Sequence, residues 1–305
     1  MDILTAPRPV LDMVIVVLGL VLGSFLNVCI HRLPRGLSVV SPRSACPFCQ
    51  HPIRWYDNIP VVSWLLLRGR CRDCKSRIAV RYTVIELATA AIFWFCFAHY
   101  GATLEALKFA VMGFLLLGLI ATDAETRLLP DAMTLPGLGL GLLFSLVVPI
   151  HDLASALLTG VVHLPFSDGI SGRVFSLTDA LLGVAAGALF LYGTRWFYLK
   201  VRGVEGLGLG DVKLIAMIGA FVGLRLTVMT LLIASVVGAL AGLSATLLVW
   251  LKRLLRRLRR NHESLAMANR KAMASAQIMM QSYPMPFGVF LGGAAMLVVL
   301  LRNSF

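Results

Sequence analysis

The chain consists of long apolar segments separated by short polar ones. A run of about 20 apolar residues is long enough to cross the hydrocarbon core of a bilayer as an α-helix, and the sequence contains several such runs. We therefore predict an all-α polytopic membrane protein with about eight transmembrane helices. The predicted spans are residues 11–30, 84–100, 105–122, 132–150, 178–199, 212–224, 226–250 and 285–302.

The composition agrees with this pattern. Hydrophobic residues make up 58% of the chain and charged residues 14%, with a mean hydropathy of +0.85, whereas soluble proteins are about 25% charged. The net charge of +13 could indicate a nucleic-acid partner, but the basic residues form two blocks beside apolar segments, as in cytoplasmic loops of membrane proteins. We therefore expect the basic residues to face the lipid bilayer, and we expect no nucleic-acid partner.

The basic residues also predict the orientation of the chain. Residues 32–82 contain ten Arg or Lys against Asp57 and Asp73, so the positive-inside rule places this loop in the cytoplasm. Residues 151–177 then lie outside, and 23 of the 28 Arg and Lys residues lie inside. The first span lacks the exit of a cleavable signal peptide and is expected to remain as an anchor. The other segments predicted inside are residues 123–130, 200–212 and 251–284.

The second basic block covers residues 251–271. It carries eight Arg or Lys residues, with leucines at positions 251, 254, 255 and 258. This spacing is typical of a basic amphipathic helix that lies against anionic lipid. The alternative is a simple basic flank that ends the preceding span.

Two Cys-x2-Cys pairs lie in the first basic loop, Cys46 with Cys49 and Cys71 with Cys74, separated by 21 residues. Each pair offers two sulfurs from one turn, at a spacing close to that of a four-thiolate zinc site. Two disulfides are the alternative, but structural disulfides are rare in the reducing cytoplasm. We predict a structural zinc ion, because four protein ligands leave no open position for water. The cysteines that lie in apolar runs, and are expected to be small buried hydrophobes, are Cys29 and Cys96.

A single carboxylate, Asp211, stands at the start of an apolar helix. It ends the sequence Gly-Leu-Gly-Leu-Gly-Asp of residues 206–211, in which the glycines allow a tight turn. Asp211 either caps a helix that starts near Val212, which is worth about 1 kcal/mol, or is a functional acid beside the membrane. Both interpretations fit this stretch.

A second acidic cluster covers residues 122–131. Asp131 follows a proline suited to the first turn of a helix, where a negative charge is favoured, so a structural role suffices for it. Asp123 lies at the end of the preceding span, where the helix dipole opposes a carboxylate, and this favours a functional role. Arg127 can pair with either Glu125 or Asp131.

Asp123 and Asp211 lie at the same predicted depth, the cytoplasmic edge of the bilayer, on different helices. Two carboxylates that share a site do not both ionise readily, so one holds a proton while the other activates water, as in aspartic peptidases. The pair therefore predicts direct attack of water on a peptide carbonyl, provided that the two side chains face each other.

Further motifs occur in a fixed order around these residues: residues 23–28, 31–34, the paired cysteines, residues 57–60, residues 123–131 and the Gly-Leu-Gly-Asp that ends at Asp211. Together they resemble the type IV prepilin peptidase family over nearly the whole chain, from about residue 20 to Gly288. The resemblance implies a bifunctional enzyme of the bacterial inner membrane with its active site on the cytoplasmic side.

Members of this family cleave the basic leader of type IV prepilins and type II secretion pseudopilins after a Gly, and then N-methylate the new N-terminus with S-adenosylmethionine. Carried onto this chain, the resemblance implies Asp123 and Asp211 as the catalytic pair. It also implies structural zinc, with the ligands Cys46, Cys49, Cys71 and Cys74.

The chain departs from the family pattern at Thr83 and Val289, where proline is common, and in the long segments 151–177 and 251–272. It has no strand, turn and helix with a glycine-rich nucleotide fingerprint, so the residues that bind the methyl donor stay unassigned. The region in which these residues are expected is the basic loop of residues 32–82, with Glu86 at its end.

We predict three regions: an anchor at residues 1–31, a zinc-binding domain at 32–82 and a peptidase domain at 83–305. One alternative is a peptidase without methyltransferase activity. A transporter would place its acids near the bilayer midplane in two related halves, and no internal repeat is evident. A non-catalytic scaffold with a zinc-bound docking loop is the third alternative, and no oligomeric state is predicted.

Overall fold

The computed structural model describes residues 8–149, 170–203, 207–261, 265–282 and 286–301. In these ranges the chain forms α-helices and no β-strand, which confirms the all-α prediction. The helices are α1 (Arg8–Arg32), α2 (Val62–Leu66), α3 (Arg81–Tyr100), α4 (Leu104–Thr126), α5 (Asp131–Val147), α6 (Ile170–Arg202), α7 (Leu209–Asn261), α8 (Leu265–Ser282) and α9 (Phe287–Leu300).

Five helices of the described chain, α1, α3, α4, α6 and α7, are long and apolar enough to cross a membrane. Helices α5 and α9 are equally apolar but have 17 and 14 residues. All eight predicted spans fall on these seven helices, because two of them share α7. The protein is a multi-pass membrane protein, and the predicted number of spans depends on how α7 is divided.

Helix α7 reverses its direction at Gly223, whose backbone is not helical (φ 77°, ψ −176°). A methyl group added at Gly187 of α6 would lie 2.9 Å from Ile215 and 3.1 Å from Thr227. These two residues would be about 18 Å apart in a straight helix, so both can approach one glycine only if the chain turns back between them. Helix α7 therefore has two arms, residues 209–222 and 224–261, which correspond to the predicted spans 212–224 and 226–250.

Glycines set the closest helix crossings. A methyl group added at Gly219 would lie 2.5 Å from the carbonyl carbon of Gly183, so α7 and α6 touch backbone to backbone. Helices α1 and α3 cross similarly, because a methyl group at Gly19 would lie 2.6 Å from Ala90 Cα. Small residues at such crossings are typical of membrane helices, whose association depends on close packing.

One predicted boundary is wrong. Residues 170–177 were expected in an outer loop, but α6 begins at Ile170 and includes them. The apolar run that predicted the span begins at residue 178, because the first two turns of this helix are more polar. The rest of that predicted loop, residues 151–169, lies outside the described residues.

The second basic block forms a helical hairpin, which we call the basic hairpin (residues 251–282). Residues 251–261 continue α7 without a break, as expected for a basic flank of the span, and α8 packs against α7. Trp250 Nε1 donates a hydrogen bond to Asn269 Oδ1 at 2.9 Å across this pair. The structure therefore gives two packed helices where the sequence indicated one amphipathic helix.

Several helix ends meet at one end of the bundle, which we call the loop end because the cysteine loop (residues 33–80) leaves α1 and enters α3 there. Asn27 Nδ2 donates to the carbonyl of Tyr82 at 2.9 Å and ties the end of α1 to the start of α3. The end of α4 and the starts of α5, α7 and α9 also lie at the loop end.

Candidate functional site

Asp123 lies in the last turn of α4 and is buried, with 5% of its surface exposed. Its backbone carbonyl accepts a hydrogen bond from Arg127, whose left-handed conformation (φ 56°) ends the helix. Its side-chain Oδ2 accepts a 3.0 Å hydrogen bond from the amide of Val289, in the first turn of α9. Asp123 is thus held between the end of one helix and the start of another.

Asp211 lies in the first turn of α7, with 9% of its surface exposed. The helix begins at Leu209, three residues before the predicted start, so the N-cap interpretation of Asp211 is wrong. The Asp211 carboxyl interacts electrostatically with that of Asp123, so the fold brings the two predicted acids into one site. Gly206, the first glycine of the motif, lies outside the described residues.

Leu129 packs between the two segments that hold these acids. A methyl group added at Gly210 would lie 3.0 Å from Leu129 Cβ, and one added at Gly288 would lie 3.2 Å from Leu129 Cδ1. The second methyl group would also lie 2.8 Å from Asp123 Oδ2. The starts of α7 and α9 therefore both pack against the same leucine side chain, and a side chain at Gly210 or Gly288 would crowd it.

Two ion pairs join the helix ends around the site. Lys213 Nζ lies 2.7 Å from Asp131 Oδ1 and connects α7 to α5, while Arg81 at the start of α3 pairs with Glu125 at the end of α4. The structural role predicted for Asp131 agrees with its pairing. Glu125 and Asp131, the two predicted partners of Arg127, therefore each pair with another basic residue.

The cysteine loop contains two turns with the same hydrogen bonds. In the first, the amide of Cys46 donates to His51 and the amide of Gln50 donates to Cys46; in the second, the corresponding pairs are Cys71 with Ser76 and Lys75 with Cys71. Gln50 and Lys75 both have φ of 59°. Each turn therefore presents its two thiols in the same way.

The four thiols converge on one point. The Sγ atoms of Cys46, Cys49, Cys71 and Cys74 all lie within 4.8 Å of one another, and those of Cys46 and Cys74 are 3.8 Å apart. Four sulfurs at the usual Zn–S distance of about 2.3 Å from a tetrahedral ion are about 3.8 Å apart. All six cysteines are free thiols, so the geometry fits a metal ion and not the alternative of two disulfides.

Hydrogen bonds prepare this site for a cation. Burial opposes ionisation of the Cys46 thiol, but bonds from the Cys49 and Phe48 amides and from Ser76 lower its pKa to about 6. The Ser76 hydroxyl also lowers the pKa of Cys74. Because metals bind the thiolate form, these groups favour the coordinating form at Cys46 and Cys74. At Cys49 the bond from the His51 amide is outweighed by burial and by the other three thiols, which raise its pKa to about 11.

Glu86 joins the cysteine loop to the helix bundle. It is 8% exposed, at a tight crossing where a methyl group on Gly23 would lie 2.7 Å from Glu86 Cα. Its Oε2 accepts a 2.8 Å hydrogen bond from the amide of Val61. Val61 has φ 60° and ψ −50°, and the amide of Val62 donates to Pro60 across it, a strained γ-turn for a β-branched residue.

Sequence reasoning did not identify the contacts of Leu129, Val289 and Val61. A leucine between two polar turns and a valine amide carry no chemical signature. The glycines at 210 and 288 were the available signals, because a glycine beside a functional residue often marks a close backbone approach.

The chain matches two family models, "Bacterial Peptidase A24 N-terminal domain" over residues 17–100 and "Type IV leader peptidase family" over residues 109–243. The first matched region contains the four clustered cysteines, and the second contains both Asp123 and Asp211.

Several relatives are similar over most of their length. A protein of Pseudomonas aeruginosa is 38% identical over 74% of this chain and 78% of its own. One of Myxococcus xanthus is 40% identical over 77% of this chain and 63% of its own, and one of Aeromonas hydrophila is 34% identical over 94% and 89%. Each is named prepilin leader peptidase/N-methyltransferase. No solved structure matches the chain.

Proposed function

The chain belongs to the type IV leader peptidase family, and from this premise we propose that it cleaves the leader from type IV prepilins or related pseudopilins after a Gly. We assign the hydrolysis to Asp123 and Asp211. The observation that carries the proposal is that these two buried carboxyls, 88 positions apart in the sequence (211 − 123), lie at the loop end within range of each other's charge, on segments that pack against the same Leu129 side chain.

The pair can hydrolyse a peptide without a covalent intermediate. One carboxylate takes a proton from water, and the oxygen of that water attacks the peptide carbonyl carbon while the other, protonated carboxyl donates a hydrogen bond to the carbonyl oxygen. The C–N bond of the tetrahedral intermediate then breaks, and a proton passes to the leaving amine. The hydrogen bond from Val289 holds Asp123 in position for this step.

We propose that the protein is located in the bacterial inner membrane with the loop end in the cytoplasm. The ten Arg and Lys residues of segment 32–82 support this orientation. A substrate with an apolar helix and a basic leader could then lie in the bilayer beside the bundle, with its scissile bond at the loop end. We also propose the division into an anchor (1–31), a zinc domain (32–82) and a peptidase domain (83–305).

We propose that zinc occupies the four-cysteine site as a structural ion. The sulfur spacing supports this choice, and four thiolates leave no coordination position for a reacting water. When bound, the ion would hold the two turns of the cysteine loop together. No step of peptide hydrolysis passes through it.

We propose that the chain also N-methylates the new N-terminus with S-adenosylmethionine, as the names of its relatives support. The described residues contain no strand, and hence no glycine-rich turn between a strand and a helix of the kind that commonly binds nucleotides. Glu86, which follows the cysteine loop, accepts a hydrogen bond from the Val61 amide.

The assignment of the aspartates is tested by leader cleavage in membranes. We expect Asp123→Asn and Asp211→Asn each to lower the cleavage rate by at least about 10²-fold, because each removes one member of the acid–base pair. The matched control is Asp131→Asn, which removes an exposed carboxylate at the same end. Its ion pair with Lys213 contributes about 1 kcal/mol or less, so we expect cleavage to change by less than about fivefold.

Metal content and thermal stability, measured on the same variants, show whether each one folds. Rapid cleavage by a folded Asp123 or Asp211 variant would contradict the assignment. Loss of leader removal in both variants, but not in the control, would exclude the non-catalytic scaffold.

A further inference from the structure

Leu129 lies in the turn between α4 and α5, where it touches the backbone beside each aspartate of the pair. It is half-buried and belongs to neither helix. Gly210 precedes Asp211 directly, and Gly288 precedes Val289, whose amide holds Asp123. Leu129 is thus in contact with one support of each carboxyl.

The contacts leave little free space on either side of this leucine. At Gly210 the three nearest atoms to an added methyl group all belong to Leu129, at 3.0, 3.3 and 3.5 Å. At Gly288 the nearest Leu129 atom would be 3.2 Å away. Carbon atoms normally pack at about 3.5–4.0 Å, so even a methyl group does not fit between Leu129 and either glycine without a shift of a few tenths of an ångström.

We propose that Leu129 is a positioning residue, a spacer that sets the separation between the starts of α7 and α9 and therefore between the two carboxyls. This inference rests on the proposed role of Asp123 and Asp211. An apolar branched side chain suits the task, because its volume is fixed and it does not compete with the carboxyls for protons or hydrogen bonds.

Truncation of Leu129 should act on the chemical step. Leu129→Ala removes three carbon atoms from between the helix starts, so the carboxyls are no longer held at one separation. A misplacement of about 1 Å can lower a rate about 10²-fold. We expect kcat for leader cleavage to fall by about 10- to 100-fold with KM nearly unchanged, and Leu129→Met, which keeps the volume, to restore most of it.

The two glycines supply a suppression test with an internal control. Gly210→Ala places a methyl group against Leu129 alone, nearest to its Cβ, so it should lower kcat. Leu129→Gly in the same chain removes all three contacting atoms and should raise kcat above that of Gly210→Ala, whereas Leu129→Ala keeps the Cβ and should not. Gly288→Ala places its methyl group 2.8 Å from Asp123 Oδ2. Its loss of activity should therefore not be relieved by Leu129→Gly.

The experiment measures kcat and KM of the full-length variants on a prepilin, with thermal unfolding as the folding control. Suppression at Gly210 and none at Gly288 supports the spacer. Wild-type kcat in Leu129→Ala, or equal suppression at both glycines, would overturn it. If Leu129→Gly does not fold, the comparison of Leu129→Ala with Leu129→Met takes its place: a lower kcat in the first and a restored kcat in the second supports the spacer, and equal kcat values overturn it.

The failure of this inference is distinct from failure of the proposed function. If the Asp123→Asn and Asp211→Asn variants cleave the leader normally, the catalytic assignment itself is wrong. If they are inactive while Leu129→Ala keeps the wild-type kcat, the assignment holds and the spacer role alone is rejected.

Discussion

The substitution Gly219→Ala tests the packing that holds the first arm of α7, and with it Asp211, against α6. The added methyl group would lie 2.5 Å from the carbonyl carbon of Gly183, and 2.7 Å from its oxygen and from the amide nitrogen of Val184. All three are backbone atoms, so no side chain can rotate away. Carbon contacts normally begin at about 3.5 Å, and the two helices would have to separate by about 1 Å.

The expected loss of stability follows from this geometry. Overpacking at a rigid contact typically destabilises by about 1–3 kcal/mol, and we place this variant near the upper value because the clash is with backbone. Alanine also favours a helix by about 1 kcal/mol over glycine, which offsets part of the loss. The net effect expected is a decrease of about 2 kcal/mol in the free energy of unfolding.

Gly193→Ala, on α6, is the matched control, because a methyl group there would meet nothing within 4 Å. Its free energy of unfolding should rise by about 1 kcal/mol, because alanine favours a helix over glycine and no clash opposes this gain. The two variants should therefore differ by about 3 kcal/mol in equilibrium unfolding by a denaturing detergent, followed by circular dichroism. Equal stability of the two variants would refute the backbone-to-backbone crossing of α6 and α7.

Two further predictions concern the cysteine loop. Glu86→Ala leaves the strained Val61 amide without its acceptor and should destabilise the protein by about 1–3 kcal/mol. Glu86→Gln keeps an acceptor oxygen and should lose less stability. Equal shifts in thermal unfolding of the two variants would contradict this contact. Chelation of the metal, or Cys71→Ser, should release about one metal ion per chain and expose residues 33–80 to proteolysis. The reason is that only three residues of this segment, Cys46, Ser63 and Gly69, are buried. A loop that stays protease-resistant without metal would show that the ion is not structural.

The sequence was sufficient to predict the elements whose signals are local. The apolar runs located the membrane helices because a helix that faces lipid must be apolar along its length. The spacing of Cys46, Cys49, Cys71 and Cys74 predicted their cluster, since two short turns can bring four thiols together wherever the rest of the loop goes. Such features depend on neighbours in the sequence.

The parts that could not be predicted depend on contacts between distant segments. Helix α6 begins at Ile170, two turns before the apolar run, and Ser176 in this more polar part is buried. Val61 adopts its strained backbone because Glu86, 25 positions later, accepts its amide. The Val289 amide meets Asp123 from 166 positions away. The sequence distinguishes this valine only as a departure from the proline common in the family, which does not indicate the contact.

The short helices around the aspartates have a consequence for the bilayer itself. Helix α5, the first arm of α7 and α9 contain 17, 14 and 14 residues, which gives lengths of about 25, 21 and 21 Å, against a hydrocarbon core of about 30 Å. A short span is accommodated by local thinning of the bilayer, by snorkelling of flanking residues or by oligomerisation. Local thinning at these helices would bring headgroups and interfacial water towards Asp123 and Asp211, and the water for hydrolysis would then need no channel through the protein.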